Sequence, residues 1–174
     1  MVVGESAVVL CVPEAEPLVG RWRRQYDMAA AAGVPAHITL LYPFVPPERL
    51  DERVEAELGA VAGEREPFDF VLRRTARFPE GPLLYLAPEP PEPFLRLTEA
   101  IAAAWPEHPP YEGAHDEVVP HLTVASAEDP VLDEIAEALE PQLPIRASAN
   151  KALLLEEGED GFWRRRRAFL LGRR

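Results

Sequence analysis

Hydrophobic residues in the first half of the chain form short runs that alternate with segments of helical spacing. The run from residue 7 to residue 12 is apolar throughout and ends at Pro13, which is typical of a buried strand. Leu18, Trp22 and Tyr26 then recur every four residues, so they would share one face of a helix that ends at Gly33. The same reasoning predicts the order β-α-β-α-β, with strands over 7–12, 36–42 and 68–78 and helices over 18–30 and 50–61.

The second half of the chain repeats this plan and adds a terminal hairpin. Pro93 begins one helix, and Asp129 with Pro130 supplies the cap and first turn of another. The elements predicted here are strands over 83–86, 120–124, 145–155 and 162–171, helices over 93–105 and 129–139, a polar loop over 106–118 and an acidic turn over 156–161. Two similar halves predict one α+β domain over 1–174. We expect a bilobal, pseudo-twofold fold of two β-α-β-α-β halves, approximately 1–80 and 81–174, around a central groove.

One short motif occurs in each half of the chain. The stretch over 36–44 reads A-H-I-T-L-L-Y-P-F, and the stretch over 120–124 reads P-H-L-T-V. Both contain His-x-Thr-x on a predicted strand, where residues i and i+2 lie on the same face. His37 and Thr39 would therefore share one face, as would His121 and Thr123. If the two strands lie side by side, two imidazoles and two hydroxyls surround one cleft.

This set of groups suits the chemistry of a phosphodiester. Two imidazoles can serve as general base and general acid near neutral pH, and two hydroxyls can donate to the non-bridging oxygens. With their flanks, the two motifs resemble the signatures of the two-histidine phosphoesterase superfamily, which includes the bacterial 2′-5′ RNA ligase-like proteins and the cyclic phosphodiesterases. A lone strand histidine is usually structural, whereas two copies half a chain apart favour the functional interpretation.

The resemblance implies the same bilobal architecture over nearly the whole chain and a catalytic set of His37, Thr39, His121 and Thr123. By the family's usual assignment, His121 would activate water and His37 would protonate the departing ribose oxygen. Thr39 and Thr123 would hold the non-bridging oxygens. Because the halves are pseudo-symmetric, the opposite order of the two histidines stays open.

Several aromatic and basic residues are candidates for substrate binding beside this set. An aromatic ring can stack on a nucleobase, and an arginine can hold a phosphate, although core packing and protection of an edge strand are the alternative roles. The run Arg164–Arg167 would alternate between the two faces of its strand. The candidates are Tyr42, Phe44, Tyr85, Trp163, Arg77 and Arg165.

The histidines of the polar loop are candidate ligands of a metal ion. His108, His115 and Asp116 lie near His121 in sequence, but their spacings, broken by prolines, do not match a strand or helix ligand pattern. We therefore expect no metal and no cofactor. The sequence contains no Gly-rich phosphate loop, paired-cysteine site or nucleophilic serine motif.

Composition limits the partners and the compartment. The net charge of −12 argues against a broad nucleic-acid-binding surface, so a nucleotide substrate would be short or an RNA end. A single cysteine, Cys11, fits a reducing cytoplasm, and no apolar run reaches the ~20 residues that span a bilayer. We expect a cytoplasmic monomer that binds a nucleotide or RNA end and no membrane.

The two functional hypotheses differ in whether the ligand turns over. The first is a metal-independent phosphodiesterase that opens 2′,3′-cyclic phosphates, with reverse 2′-5′ ligation at RNA ends. The second is a binding module that grips a nucleotide or phosphoester without turnover. Intact histidines in both motifs favour the enzyme, because a pure binder gains nothing from two proton-transfer groups.

Overall fold

The computed structural model describes residues 4–172 of the chain. Within these residues the chain forms eight strands and five α-helices. The strands are β1 (Ser6–Cys11), β2 (His37–Leu41), β3 (Phe68–Arg77), β4 (Leu83–Glu89), β5 (Leu122–Ser126), β6 (Ile145–Ala149), β7 (Lys151–Glu157) and β8 (Trp163–Leu170). The helices are α1 (Glu16–Tyr26), α2 (Met28–Ala31), α3 (Glu52–Gly63), α4 (Glu92–Ala104) and α5 (Asp129–Leu139).

The strands form two four-stranded antiparallel sheets. Sheet 1 has the order β2-β1-β7-β8, and sheet 2 has the order β5-β4-β3-β6. Each sheet places a motif-bearing strand, β2 or β5, at its edge and the strand that begins the corresponding half, β1 or β4, beside it. The expected α+β bilobal fold is confirmed.

The sheets exchange strands between the two halves of the sequence. β3 belongs to the first half but pairs with β4 and β6 of the second half, whereas β7 belongs to the second half but pairs with β1 of the first. The exchange is itself symmetric, because β3 and β7 occupy equivalent third positions in the two sheets. The division into lobes near residue 80 stays a prediction, and each sheet takes strands from both sides of it.

Helices from each half pack against the motif strand of the other half. α4 contacts β2, and α1 contacts β5. The buried Thr98 of α4 donates its hydroxyl to the Leu40 carbonyl at 2.7 Å, which joins the helix to an edge strand that would otherwise leave this acceptor unpaired. One continuous core of buried apolar side chains therefore runs through both sheets.

Two predicted elements are divided in the structure. The helix expected over 18–30 breaks at Asp27, which leaves helical geometry and caps α2 by accepting the Ala29 N–H. The prediction of one continuous strand over 145–155 was wrong. It breaks at Asn150 into β6 of sheet 2 and β7 of sheet 1. No helix within residues 4–172 is both long and apolar enough to cross a membrane.

Candidate active site

The two motif strands meet between the sheets. β2 and β5 contact each other, and each alternates between half-buried and buried positions as the period of two predicts. Ile38 and Leu40 are buried in the core, whereas His37 and Thr39 lie on the opposite face. His121 directly precedes β5, and Thr123 alternates with buried Leu122 and Val124.

Both imidazoles are oriented by the same local device. His37 Nδ1 lies 2.8 Å from the Pro35 carbonyl oxygen, and His121 Nδ1 lies 2.7 Å from the Val119 carbonyl oxygen. A carbonyl only accepts, so Nδ1 carries the hydrogen in each ring and Nε2 keeps its lone pair. Each histidine thus presents an Nε2 that can take a proton from a ligand or water.

Both imidazoles are neutral at pH 7 in the free protein. Burial lowers the pKa of His37 to about 4, with the charges of Arg23 and His121 acting in the same direction. Burial also lowers the pKa of His121, opposed by its hydrogen bond to Val119. The influence of His121 on His37 reflects their proximity across the site. An anionic ligand between the rings would raise both pKa values, because a negative charge stabilises imidazolium.

The two threonines complete the arrangement. Thr39 lies opposite Val9 of β1, and Thr123 lies opposite Tyr85 of β4. Both side chains are half-buried, and neither hydroxyl hydrogen-bonds to another protein group of the described part of the chain. The hydroxyls are therefore available to a ligand that carries acceptor oxygens.

Aromatic rings enclose His121. Its ring centroid is 5.0 Å from that of Phe78 and 5.6 Å from that of Tyr85, both in edge-on contact. Phe78 and Tyr85 are themselves 4.4 Å apart. Tyr85 is 9% exposed and lies beside His121, so its binding role stays a prediction, and Phe78 was not among the candidates.

The other three aromatic candidates occupy different surroundings. Tyr42 contacts Trp163 edge-on at 6.1 Å and donates its hydroxyl to Glu5, and both rings pack beside a small apolar cluster on the His37 face of sheet 1. Phe44 is 2% exposed and packs edge-on against Trp105 in the core, so its ring is not offered to a ligand. The stacking role predicted for Phe44 is therefore not compatible with its position.

The four consecutive arginines divide between the faces of β8. Arg166 and Arg167 pair with Glu55 of α3, and Arg164 pairs with Asp160. Arg165 lies opposite Leu155, on the face that also carries His37, and within residues 4–172 it makes no ion pair. Of the four, Arg165 is the one placed to meet an anionic ligand.

Arg77 does not fit its predicted role. It lies opposite the core residue Leu84 and pairs with Asp129 and Asp133 of α5. Since Thr123 and Tyr85 alternate with core residues, they point to the other side of sheet 2. Arg77 therefore joins sheet 2 to α5 by ion pairs, and the two aspartates neutralise its charge.

The loop histidines do not assemble with other metal-binding groups. Across residues 4–172, no three His, Cys, Asp or Glu side chains lie close enough together to hold a metal ion. His115 packs edge-on against Tyr111 at 5.5 Å.

A family model for the 2′-5′ RNA ligase superfamily matches residues 11–161, a stretch that includes both motifs. The chain belongs to this superfamily. A protein of Geobacillus kaustophilus (strain HTA426), named as phosphoesterase GK0864, is 27% identical over 157 residues, which is 87% of this chain and 86% of the relative. The resemblance inferred from the two motifs is confirmed.

Solved structures of two other bacterial proteins share the fold. LigT of E. coli, in its complex with 3′-AMP, has a TM-score of 0.63 at 14% identity and covers 97% of this chain and 98% of its own. TT0787 of Thermus thermophilus has a TM-score of 0.63 at 24% identity, with the same coverage of both chains. At these identities the likeness establishes the architecture.

Several residues of the site gave little sequence signal. The carbonyls that orient the imidazoles belong to the residues two positions before each histidine. The sequence shows these positions but does not indicate that their carbonyls bind the rings. Phe78 was recognised only as a strand end, because nothing local indicates that β3 and β5 flank the same strand. Arg23, Glu16 and Asp27, whose contacts are given below, were not singled out.

Proposed function

We propose that the protein is a metal-independent phosphodiesterase that opens 2′,3′-cyclic phosphate ends of RNA or nucleotides. The observation that carries the proposal is the pair of imidazoles. In each, Nδ1 is hydrogen-bonded to a backbone carbonyl, and Nε2 has no hydrogen-bond partner among residues 4–172. Two neutral rings facing one cleft can share a proton between attacking and departing oxygens. Membership of the 2′-5′ RNA ligase superfamily supports an enzyme of the phosphoesterase type.

In the proposed hydrolysis, the two imidazoles exchange protons with the attacking and departing oxygens. His121 Nε2 takes a proton from water as the water oxygen bonds to phosphorus. The bond from phosphorus to one ribose oxygen breaks, and His37 in its protonated form gives that oxygen a proton. Thr39 and Thr123 donate to the non-bridging oxygens, where charge develops. The anionic phosphate favours the imidazolium that the acid step requires, which offsets the low pKa of free His37.

The same groups would support ligation. If a 5′-hydroxyl of RNA replaces water as the nucleophile, the opened cyclic phosphate yields a 2′-5′ linkage and no net charge is added. Proton transfers between the imidazoles and the reacting oxygens are reversible, so cleavage and ligation of the phosphodiester use the same geometry. LigT has been crystallised with 3′-AMP, ATP and NADP+, which favours a nucleotide ligand for this site as well.

The neighbours of the pair are proposed to hold the rest of the ligand. Tyr85 and Phe78 form an aromatic surface beside His121, which suits a nucleobase or ribose face. Arg165 lies on the His37 face of sheet 1 without a carboxylate partner within residues 4–172, which suits a further phosphate. Tyr42 and Trp163 flank the same face. The net charge of −12 favours short substrates over long duplexes.

The test is turnover of a panel of 2′,3′-cyclic nucleotides and of an RNA with a cyclic phosphate end, with and without EDTA. The products are identified by phosphorus NMR, and binding is measured in parallel by calorimetry. We expect ring opening at rates that EDTA does not change. Binding without turnover would support the binding module instead, and activity lost to EDTA but restored by Zn²⁺ or Mn²⁺ would contradict a metal-independent reaction.

A further inference from the structure

A buried arginine lies behind the strand that carries His37. Arg23 of α1 is 2% exposed, and its Nε and Nη2 lie 3.0 and 2.9 Å from Asp27 Oδ2. Its Nη1 donates to the Val34 carbonyl at 3.2 Å and lies 3.8 Å from Glu16 Oε1. A charge is buried at a cost unless it is paired, so such an arrangement calls for an explanation.

This network fixes the residue that orients His37. Arg23 holds the carbonyl of Val34, and Glu16 Oε1 accepts the N–H of Ala36 at 2.6 Å. The two bonds fall on either side of Pro35, whose carbonyl accepts the Nδ1 hydrogen of His37. The backbone on both sides of the orienting carbonyl is therefore tied to α1 by charged groups.

The second histidine has no equivalent. Its orienting carbonyl belongs to Val119, which is 39% exposed in the loop that leads to β5. Within the described part of the chain, no charged side chain hydrogen-bonds to residues 118–120, and the ring of His121 is instead enclosed by Phe78 and Tyr85. The two motifs are thus similar in sequence but differ in their surroundings, since charged side chains support the first histidine and aromatic rings surround the second.

We propose that Arg23 is a positioning residue that, together with Glu16, holds the Pro35 carbonyl so that His37 stays in its Nδ1–H form with Nε2 aimed at the ligand. The expected effect of Arg23 on turnover rests on the proposed function, whereas its expected effect on the tautomer of His37 does not. The charged or titratable groups around His37 are Arg23 on α1, Asp27 before α2, His121 at β5 and Cys11 opposite it on β1. Arg23 acts to lower the pKa of His37, and Asp27 acts to raise it.

Two variants separate positioning from folding. Arg23→Met removes the donor to Val34 but leaves Asp27 buried without its partner. Arg23→Met combined with Asp27→Asn removes both charges and keeps a side chain that can cap α2. The matched control is Arg166→Met, since Arg166 also joins a carboxylate, Glu55, to a backbone carbonyl, that of Leu50, but on the opposite face of sheet 1.

The readouts are nitrogen NMR of both imidazoles, pH titration of each ring, and steady-state kinetics on a 2′,3′-cyclic nucleotide. In Arg23→Met we expect the pKa of His37 to rise, because a cation is lost and Asp27 remains, while that of His121 stays unchanged. In the double variant we expect His37 to populate the Nε2–H form, with kcat lower by roughly 10- to 100-fold and KM changed little. Arg166→Met should alter neither ring.

A folded double variant in which His37 keeps its Nδ1–H form would overturn the proposal, as would an equal change at His121. If Arg23→Met does not fold, the double variant decides. If the wild-type protein turns over no cyclic nucleotide, the proposed function fails, whereas the tautomer and the pKa of His37 still decide the role of Arg23.

Discussion

At the scale of single residues, the two threonine hydroxyls are the simplest groups to test. Neither is engaged by another group within residues 4–172, and a hydrogen bond to a charged oxygen contributes about 1.5–3 kcal/mol. Thr39→Ala and Thr123→Ala should each lower kcat on the order of 10- to 100-fold without changing the melting temperature. Ser126→Ala, at the exposed end of β5, is the control and should keep the full rate. Wild-type rates in both threonine variants would mean that the hydroxyls do not touch the phosphate.

The lowered pKa of His37 predicts a dependence of stability on pH. The ring titrates at about 4 when folded and near its ordinary value of 6.5 when unfolded, so the unfolded chain binds more protons between these values. The stability from neutral His37 is fully present above pH 6.5 and is lost as the pH falls toward 4. The loss is about 1.4 kcal/mol per pH unit at most, and less where water screens the half-buried ring.

The measurement is urea unfolding of the wild-type protein and of His37→Gln from pH 7 to pH 4.5. The free energy of unfolding of the wild type should fall more steeply with acid than that of the variant, because glutamine takes up no proton. His115→Gln, in the exposed loop, should follow the wild type. Parallel curves for the wild type and His37→Gln would show that His37 titrates normally.

At the scale of elements, α4 and β2 depend on one buried hydrogen bond. Thr98 donates to the Leu40 carbonyl at 2.7 Å from a position that is 5% exposed. Thr98→Val keeps the shape but leaves a buried acceptor unpaired, so it should lower the free energy of unfolding by about 1–3 kcal/mol. Thr98→Ser keeps the hydroxyl and should lose less. Equal stability of the valine variant and the wild type in urea would show that water or another donor satisfies Leu40.

The elements themselves could largely be predicted from the sequence, but their partners could not. A period of two identifies a strand and its buried face, as in β2 and β5, yet it carries no information on the neighbouring strand. The division at Asn150 coincides with a change of pattern. In β6, buried Ile145, Ala147 and Ala149 alternate with exposed polar residues, whereas the four residues over 152–155 of β7 are all buried. A strand buried on one face is thus followed by a strand buried on both.

The positions of the proposed catalytic residues could be predicted for a related reason, but the residues that support them could not. The His-x-Thr copies place a ring and a hydroxyl on one face whatever the tertiary structure, so four candidate positions followed from local geometry. The binding roles predicted for Arg77 and Phe44 depended on which face of a sheet or which part of the core each side chain occupies. In the structure both side chains lie away from the site. The Arg23 network joins residues of α1 to the segment before β2, which no repeat or spacing indicates.

At the scale of the whole molecule, the exchange of β3 and β7 makes each half depend on the other. A chain cut at the exposed turn near residue 80 separates β3 from β4 and separates β1 from β7. Expressed alone, fragments 1–80 and 81–174 should therefore lack dispersed amide spectra and cooperative unfolding. Mixing them should restore both, as the matched control. Cooperative unfolding of either fragment alone would contradict this interdependence.

The proposed reaction requires the two imidazoles to act as one proton-transfer unit. The most direct measurement is the rate of 2′,3′-cyclic nucleotide hydrolysis by His37→Ala, His121→Ala and the double variant, with His115→Ala as control. Each single variant should lose roughly 10²–10⁴-fold, and the double variant should fall little below the slower single one, because members of a unit are not additive. The wild-type rate should follow a bell-shaped pH curve that the single variants lose. A folded double variant that hydrolyses the substrate at the wild-type rate would contradict the central claim.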